Sequence, residues 1–142
     1  METILNREAL LKKEKPEVVK VVLGKDEYVY VRQMTGREKD NFEQSLRKEI
    51  KNNKGVIEGY EVALNDFRAK LAVVTLCNAE GVLLLKPEDY TLLSMNMLAA
   101  TLEKIVTAAQ KLNAITEEDK ETLVLNSKAD PEDNSNSVSA DN

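Results

Sequence analysis

The chain has 142 residues, 25 acidic and 20 basic, so its formal net charge is −5 and its pI is near 5.0. Its length suits one domain or a domain plus a tail, and its acidic balance argues against a general nucleic-acid binder. The chain has no histidine and therefore lacks the commonest general base. Its single cysteine, Cys77, cannot form an intramolecular disulfide or provide the ligand spacing of a zinc or iron–sulfur site.

The N-terminal part of the sequence predicts a short helix followed by a β-hairpin. Asn6 can cap a helix over Arg7–Lys13, which carries an alanine and two leucines on its apolar side. Two runs rich in β-branched and aromatic residues follow, Val18–Leu23 and Glu27–Arg32, and the glycine-containing loop 24–26 separates them. Tyrosines alternate with valines in the second run. We expect the valines to face inward, although the pattern also permits the reverse orientation.

A capping box opens the next predicted helix. Thr35 can accept the first free amide, and Glu38 can reach back to the Thr35 amide. The apolar residues that follow at four-residue spacing are Phe42, Leu46 and Ile50. We expect the helix to end at Asn52–Gly55 and a flexible loop to cover Lys54–Gly59.

The most apolar segment, Asp66–Gly81, is predicted to be a central helix. Its stripe at helical spacing consists of Leu64, Phe67, Leu71 and Val74. Ala72, Val73, Leu76 and Cys77 fill most of the remaining surface. A helix that is apolar nearly all round must be buried on several sides, and Gly81 suits the left-handed residue that closes a helix. The β-branched run within it leaves a strand over Leu71–Leu76 as the alternative.

The last third of the chain is predicted to be helical. Val82–Leu85 is an apolar run that suits an added strand or a buried extended segment. Pro87 then begins a helix with carboxylates in its first turn, and a longer helix is expected over Ser94–Leu112. A second capping box at Thr116 predicts a short final helix to about Leu125.

These elements together predict an α+β fold that is mostly α-helical, with an N-terminal β-hairpin packed on a helical bundle. A single globular domain is expected over residues 1–125. Residues 126–142 are rich in Ser, Asn, Asp and Glu, so we expect a flexible, disordered polar tail.

No pattern in the sequence predicts an enzyme, a cofactor or a metal site. The glycines are scattered singly, and the carboxylate pairs Glu88-Asp89 and 117–119 lie where they would cap helices. The N-terminal lysines are interleaved with glutamates, which indicates a solvated face, and no apolar run is long enough to span a membrane. Protein–protein interaction remains as the function class. Methionine-rich apolar surfaces adapt well to partners, and the candidate partner-binding residues are Met95, Met97, Leu83 and Leu85.

Three blocks, in order, carry a family resemblance that spans Ile4 to Leu125. They are Val29–Glu43 (VYVRQMTGREKDNFE), Arg68–Gly81 (RAKLAVVTLCNAEG) and Ala108–Asp119 (AAQKLNAITEED). Together they resemble the tail assembly chaperones of long-tailed bacteriophages and prophages of Gram-positive bacteria. The resemblance implies a non-enzymatic protein that coats the tape-measure protein before the tail tube polymerises and is then displaced. It also implies a frameshifted longer form of the same protein as a further partner.

The resemblance and the charge pattern lead to the following expectations. Residues 1–54 carry 13 basic and 10 acidic side chains, whereas residues 55–142 carry 7 and 15, which suits head-to-tail self-association. The protein is expected in the cytoplasm of the host bacterium and not in the mature virion. Two other functions stay open: a structural tail or connector component retained in the virion, and a small host adaptor that binds one helical partner.

Overall fold

The computed structural model describes residues 1–115 and contains both helices and strands, in an α+β fold. The helices are α1 (Arg7–Leu11), α2 (Gly36–Ser45), α3 (Phe67–Val73), α4 (Tyr90–Asn96) and α5 (Ala99–Leu112). The strands are β1 (Val18–Gly24), β2 (Glu27–Arg32), β3 (Arg47–Lys51), β4 (Ile57–Val62) and β5 (Leu76–Cys77). The capping box at Thr116, the final helix to Leu125 and the tail 126–142 lie outside the described residues.

The predicted N-terminal hairpin is confirmed, and it forms two strands of an antiparallel sheet with the order β1-β2-β5. Lys25 and Asp26 form its two-residue loop, and both have positive φ angles, 50° and 65°. This is the backbone of a type I′ turn, whose twist matches that of the flanking strands. In the second strand Val31 is fully buried, and Val29 is partly buried against the same apolar cluster. The expectation that the valines face inward is therefore confirmed.

The short helix before the hairpin is capped as predicted, because the Asn6 side chain accepts a hydrogen bond from the Ala9 amide at 3.0 Å. It ends at Leu11 instead of Lys13, and none of its residues is buried. Its two leucines, Leu10 and Leu11, are exposed.

Two helices, α3 and α5, form the centre of the fold and connect its two apolar clusters. The cluster beneath the sheet consists of Val21, Val31, Ala72, Leu76, Leu102 and Ile105. The cluster on the other side of these helices consists of Phe42, Leu46, Phe67, Leu71, Val106 and Ala109. Neighbouring residues of each central helix, such as Leu71 and Ala72, thus enter different clusters, which requires a helix that is apolar on opposite sides.

Burial of the central helix is confirmed, but its predicted end at Asn78–Gly81 is wrong. Helix α3 stops at Val73, and Leu76–Cys77 pairs with β2 instead. The Thr75 carbonyl accepts a hydrogen bond from the Arg32 amide at 3.0 Å, and the Thr75 hydroxyl donates back to the Leu71 carbonyl at 2.8 Å. The β-branched residues at this point have low helix propensity, so ending the helix here costs little free energy. The edge of β2 supplies new hydrogen-bond partners for the backbone groups.

The predicted long helix after the capping box is also shorter than expected. Thr35 and Glu38 make both capping hydrogen bonds, as predicted, but α2 ends at Ser45. Ile50, expected on the helix stripe, lies in β3 and is exposed. The expected flexible loop at Lys54–Gly59 contains the start of β4, which pairs with β3 in a second hairpin.

Two Asn-x-x-Gly turns explain both errors. In Asn52–Gly55 and in Asn78–Gly81, the asparagine side-chain oxygen accepts the amides of the residues two and four positions later. The glycine that follows has a positive φ angle of 80° in the first turn and 84° in the second. Each turn therefore reverses a strand where the sequence suggested the end of a helix.

The helix predicted to begin at Pro87 is present as a single 3₁₀ turn at Pro87–Asp89 followed by α4, which packs on α3. The longer helix predicted over Ser94–Leu112 begins at Ala99 instead, because Ser94 belongs to α4 and the extended backbones of Met97 and Leu98 separate the two helices. The longer helix, α5, packs on α3 and on the strands β1 and β2.

Candidate functional site

An apolar groove lies between α2, α3 and the segment 83–90, and we call it the α2–α3 groove. It encloses about 460 Å³. Its apolar lining is provided by Phe42, Val73, Val74, Leu83, Pro87 and Tyr90. This size falls within the range of about 300–1,000 Å³ that is usual for binding pockets. The groove exists because Pro87 begins a helical turn that projects Tyr90 toward α3.

Two charged side chains at the rim of this groove, Lys70 and Glu38, are held by neighbouring groups. The Lys70 ammonium donates to the Ser45 carbonyl at 3.0 Å and lies 5.1 Å from the centre of the Tyr90 ring. Glu38 accepts from the Arg32 guanidinium at 2.6 Å and from the Thr35 amide at 2.9 Å. Both charges are therefore oriented by the protein itself, and the groove presents an apolar floor beneath a fixed polar rim.

A second groove lies beside α4, and we call it the α4 groove. It encloses about 620 Å³ and is lined by Leu85, Asp89, Leu92, Leu93, Asn96 and Met97. Leu85, Leu93 and Met97 also pack against the cluster beneath the sheet. The floor of this groove is thus continuous with the core, whereas Leu92 is exposed at its side.

The four candidate residues from the sequence do not form one site. Leu83 lines the α2–α3 groove, while Leu85 and Met97 line the α4 groove. Met95 lies on the surface of α4 with 76% of its area exposed. The apolar run that contains the leucines is extended, half-buried at alternate positions, and joined to β5 by one bridge between Cys77 and Leu83.

Of the six apolar residues that line the α2–α3 groove, the sequence analysis assigned only Leu83 to a partner-binding site. Val74 was assigned to the core stripe, but it is only partly buried and forms part of the groove wall. Val73 and Tyr90 were not assigned to any site. Tyr90, an aromatic residue one turn after a helix-starting proline, was the available signal for the groove.

The outer face of the sheet carries two tyrosines in contact. The rings of Tyr28 and Tyr30 meet edge to face with their centres 5.6 Å apart, and the Lys20 ammonium lies 4.3 Å from the Tyr28 ring. The neighbouring Tyr28 raises the pKa of the Tyr30 hydroxyl above its usual value, as does partial burial. The exposed Tyr28 and the partly buried Tyr30 form a small aromatic surface distinct from both grooves.

Cys77 is buried, as the sequence indicated, and burial raises the pKa of its thiol above the usual value. The nearby Arg32 charge opposes this shift but does not cancel it. A buried thiol with a raised pKa is a poor nucleophile because the thiolate is the reactive form.

Residues 1–115 contain no cluster of three or more His, Cys, Asp or Glu side chains that could hold a metal ion. No helix in this part of the chain is long and apolar enough to cross a membrane. Comparisons of the sequence with protein-family models and with curated proteins, and of the fold with solved structures, find no match.

Proposed function

We propose that this protein is a non-enzymatic phage tail assembly chaperone that holds apolar helices of the tape-measure protein in solution until the tail tube encloses them. It would act in the cytoplasm of the host bacterium and would be absent from the mature virion. The α2–α3 groove is the observation that supports this proposal most strongly. The four residues Met95, Met97, Leu83 and Leu85 remain candidate contacts, with Leu83 in this groove.

The shape and lining of the groove suit an apolar helix better than a small polar ligand. Its floor is built from aliphatic and aromatic side chains, including Phe42 and Leu83. An amphipathic helix inserts side chains at positions i, i+3, i+4 and i+7 into such a groove. The fixed charges of Glu38 and Lys70 at the rim would then face the polar flank of the helix.

Two separate grooves favour reversible binding of a long ligand. A tape-measure helix that contacts the α2–α3 groove and the α4 groove of several copies gains affinity from many modest contacts. Each contact can be broken separately, so the tube can displace the protein as it polymerises. Two charged groups at the rim of the α2–α3 groove are already held within the protein, because Arg32 and Thr35 donate to Glu38 and Lys70 donates to the Ser45 carbonyl. This arrangement favours binding over catalysis.

A solubility experiment with a tape-measure fragment tests the proposal. The full chain is co-expressed with an aggregation-prone apolar fragment, and soluble fragment is measured without ATP or metal. We expect the fragment to stay in solution and to co-purify with the protein. A fragment that precipitates equally with and without the protein would overturn the proposal.

A matched pair of variants locates the binding site. Leu83→Asp introduces a charge into the α2–α3 groove and should weaken binding by at least about tenfold, or ~1.4 kcal/mol. Leu84→Asp makes the same change at the adjacent position, where the side chain is exposed and lies outside the groove. It should bind like the native protein. Equal binding by both variants would exclude this groove, and detection of the protein in purified virions would favour a structural tail component.

A further inference from the structure

The second hairpin, β3–β4, extends from the body with little of its surface covered. All five residues of β3 are exposed, and in β4 only Gly59 and Val62 are partly buried. Among the described residues these two strands pair only with each other, so each has one edge without a partner strand. Isolated two-stranded hairpins are marginally stable in water, and free strand edges readily pair with further strands.

The two free edges carry opposite charge. Strand β3 has three basic side chains, Arg47, Lys48 and Lys51, and one acidic side chain, Glu49. Strand β4 has two acidic side chains, Glu58 and Glu61, and no basic one. Two β3 edges would therefore repel each other, as would two β4 edges, whereas β3 of one copy and β4 of another attract.

The backbone of each edge is available for a further strand. The Ala63 amide donates to the Leu46 carbonyl, so the hydrogen-bonded pairs inside the hairpin continue at Lys48 with Glu61. Because such pairs alternate along an antiparallel ladder, the amide and carbonyl of Glu49 and of Tyr60 point away from the hairpin. A single irregularity lies near the tip, after Ile50, and leaves the preceding stretch of β3 regular.

We infer that the β3–β4 hairpin joins copies of this protein, with the basic β3 edge of one copy pairing with the acidic β4 edge of the next. Edge charges also serve to prevent aggregation, but that role needs no difference in sign between two edges. Since each copy uses two different edges, the contact is heterologous and extends into an open row of copies. The inference concerns a surface apart from both grooves, so it does not depend on what the grooves bind.

The experiment is sedimentation velocity of the full chain over a range of protein and salt concentrations. We expect association that grows with protein concentration and weakens with salt, because exposed charges are screened beyond about 8–10 Å at physiological ionic strength. Glu49→Pro removes an outward amide and leaves the inward hydrogen bonds intact, so this variant should remain monomeric. Leu83→Asp and Leu84→Asp lie outside the hairpin and should associate like the native chain. This comparison distinguishes a loss of binding in the α2–α3 groove from a loss of self-association through the hairpin.

Two charge-reversed variants complete the test even if the proline variant does not fold. The acidic variant carries Arg47→Glu with Lys51→Glu, and the basic variant carries Glu58→Lys with Glu61→Lys. Each variant has two edges of like charge, so its copies should associate at least about tenfold more weakly than copies of the native chain. An equimolar mixture should recover association, because acidic edges then meet basic ones. A native chain that stays monomeric at every concentration, or a mixture that stays monomeric, would overturn the inference.

Discussion

Glu38 makes a capping hydrogen bond and a half-buried ion pair at once, so its replacement tests how much each contributes. Its carboxylate accepts from the Arg32 guanidinium at 2.6 Å and from the Thr35 amide at 2.9 Å. The Arg32 side chain is only 10% exposed and that of Glu38 is 30% exposed. The Arg32 Nε makes no hydrogen bond within the described part of the chain. Loss of Glu38 therefore leaves the guanidinium with few partners.

The expected cost follows from these contacts. Loss of the capping hydrogen bond costs about 1 kcal/mol. A nearly buried guanidinium without its carboxylate adds about 1–3 kcal/mol, less than the 3–5 kcal/mol of a fully buried pair because water reaches Glu38. Glu38→Ala should thus lower the free energy of unfolding by about 2–4 kcal/mol. Glu38→Gln can still accept from the Thr35 amide and loses only the charge, so it should cost about 1–2 kcal/mol.

Urea denaturation followed by circular dichroism measures both variants. At roughly 4 °C per kcal/mol for a domain of this size, Glu38→Ala should also lower Tm by about 8–16 °C. Arg32→Met combined with Glu38→Gln serves as a control, because replacing both partners removes the unpaired charge and should recover part of the loss. The reasoning is refuted if alanine and glutamine at this position cost the same and less than about half a kcal/mol, since water would then solvate Arg32 adequately.

Three further predictions concern the core, the buried thiol and the first hairpin loop. Leu71→Ala should lower the free energy of unfolding by about 2–5 kcal/mol because Leu71 is fully buried between α2 and α5. Urea denaturation measures this loss, and a value under about half a kcal/mol would contradict the packing. Because the pKa of the Cys77 thiol is raised in the folded protein, the unfolded chain loses its thiol proton at a lower pH than the folded one. The free energy of unfolding should therefore fall as pH rises above the usual thiol pKa of 9.0, and Cys77→Val should reduce that fall. Lys25→Asn with Asp26→Gly should raise Tm, since it supplies the residues that type I′ turns prefer, and an unchanged or lower Tm would contradict the turn assignment.

The parts of the fold that the sequence predicted well are those in which local signals and tertiary contacts agree. The capping box at Thr35, the cap at Asn6 and the first hairpin all have residues that favour one local structure. The central helix was recognised because its apolar residues cover all sides, and that property itself requires burial.

The errors arose where a local pattern permits two structures and a distant strand decides between them. Ile50 continues a four-residue helical spacing, yet β4 offers its backbone a partner strand. Leu76 and Cys77 belong to an apolar helical pattern, yet the edge of β2 binds them. Asn-x-x-Gly suits both a helix end and a strand reversal, so periodicity alone could not choose.

The candidate site was predictable only in part for the same reason. Leu83, Leu85 and Met97 were named as candidate partner-binding residues, and each lines a groove. Their division between two grooves depends on the turn at Pro87 and on the break after α4. Neither the direction of that turn nor the break has a local signal strong enough to predict.

The hydrogen bonds of Asn113 have a consequence for how the chain is made on the ribosome. Its side chain accepts from the Met34 amide, 79 positions earlier, and donates to the Arg32 carbonyl. At about 5–20 residues per second, translation takes roughly 4–16 s to cover that interval. During this time the hairpin has no α5 against its valine face, and a chain that stops before Leu102 never acquires that cover. The nascent polypeptide thus exposes apolar surface for a time. We propose that the finished protein masks surface of the same kind in its partner.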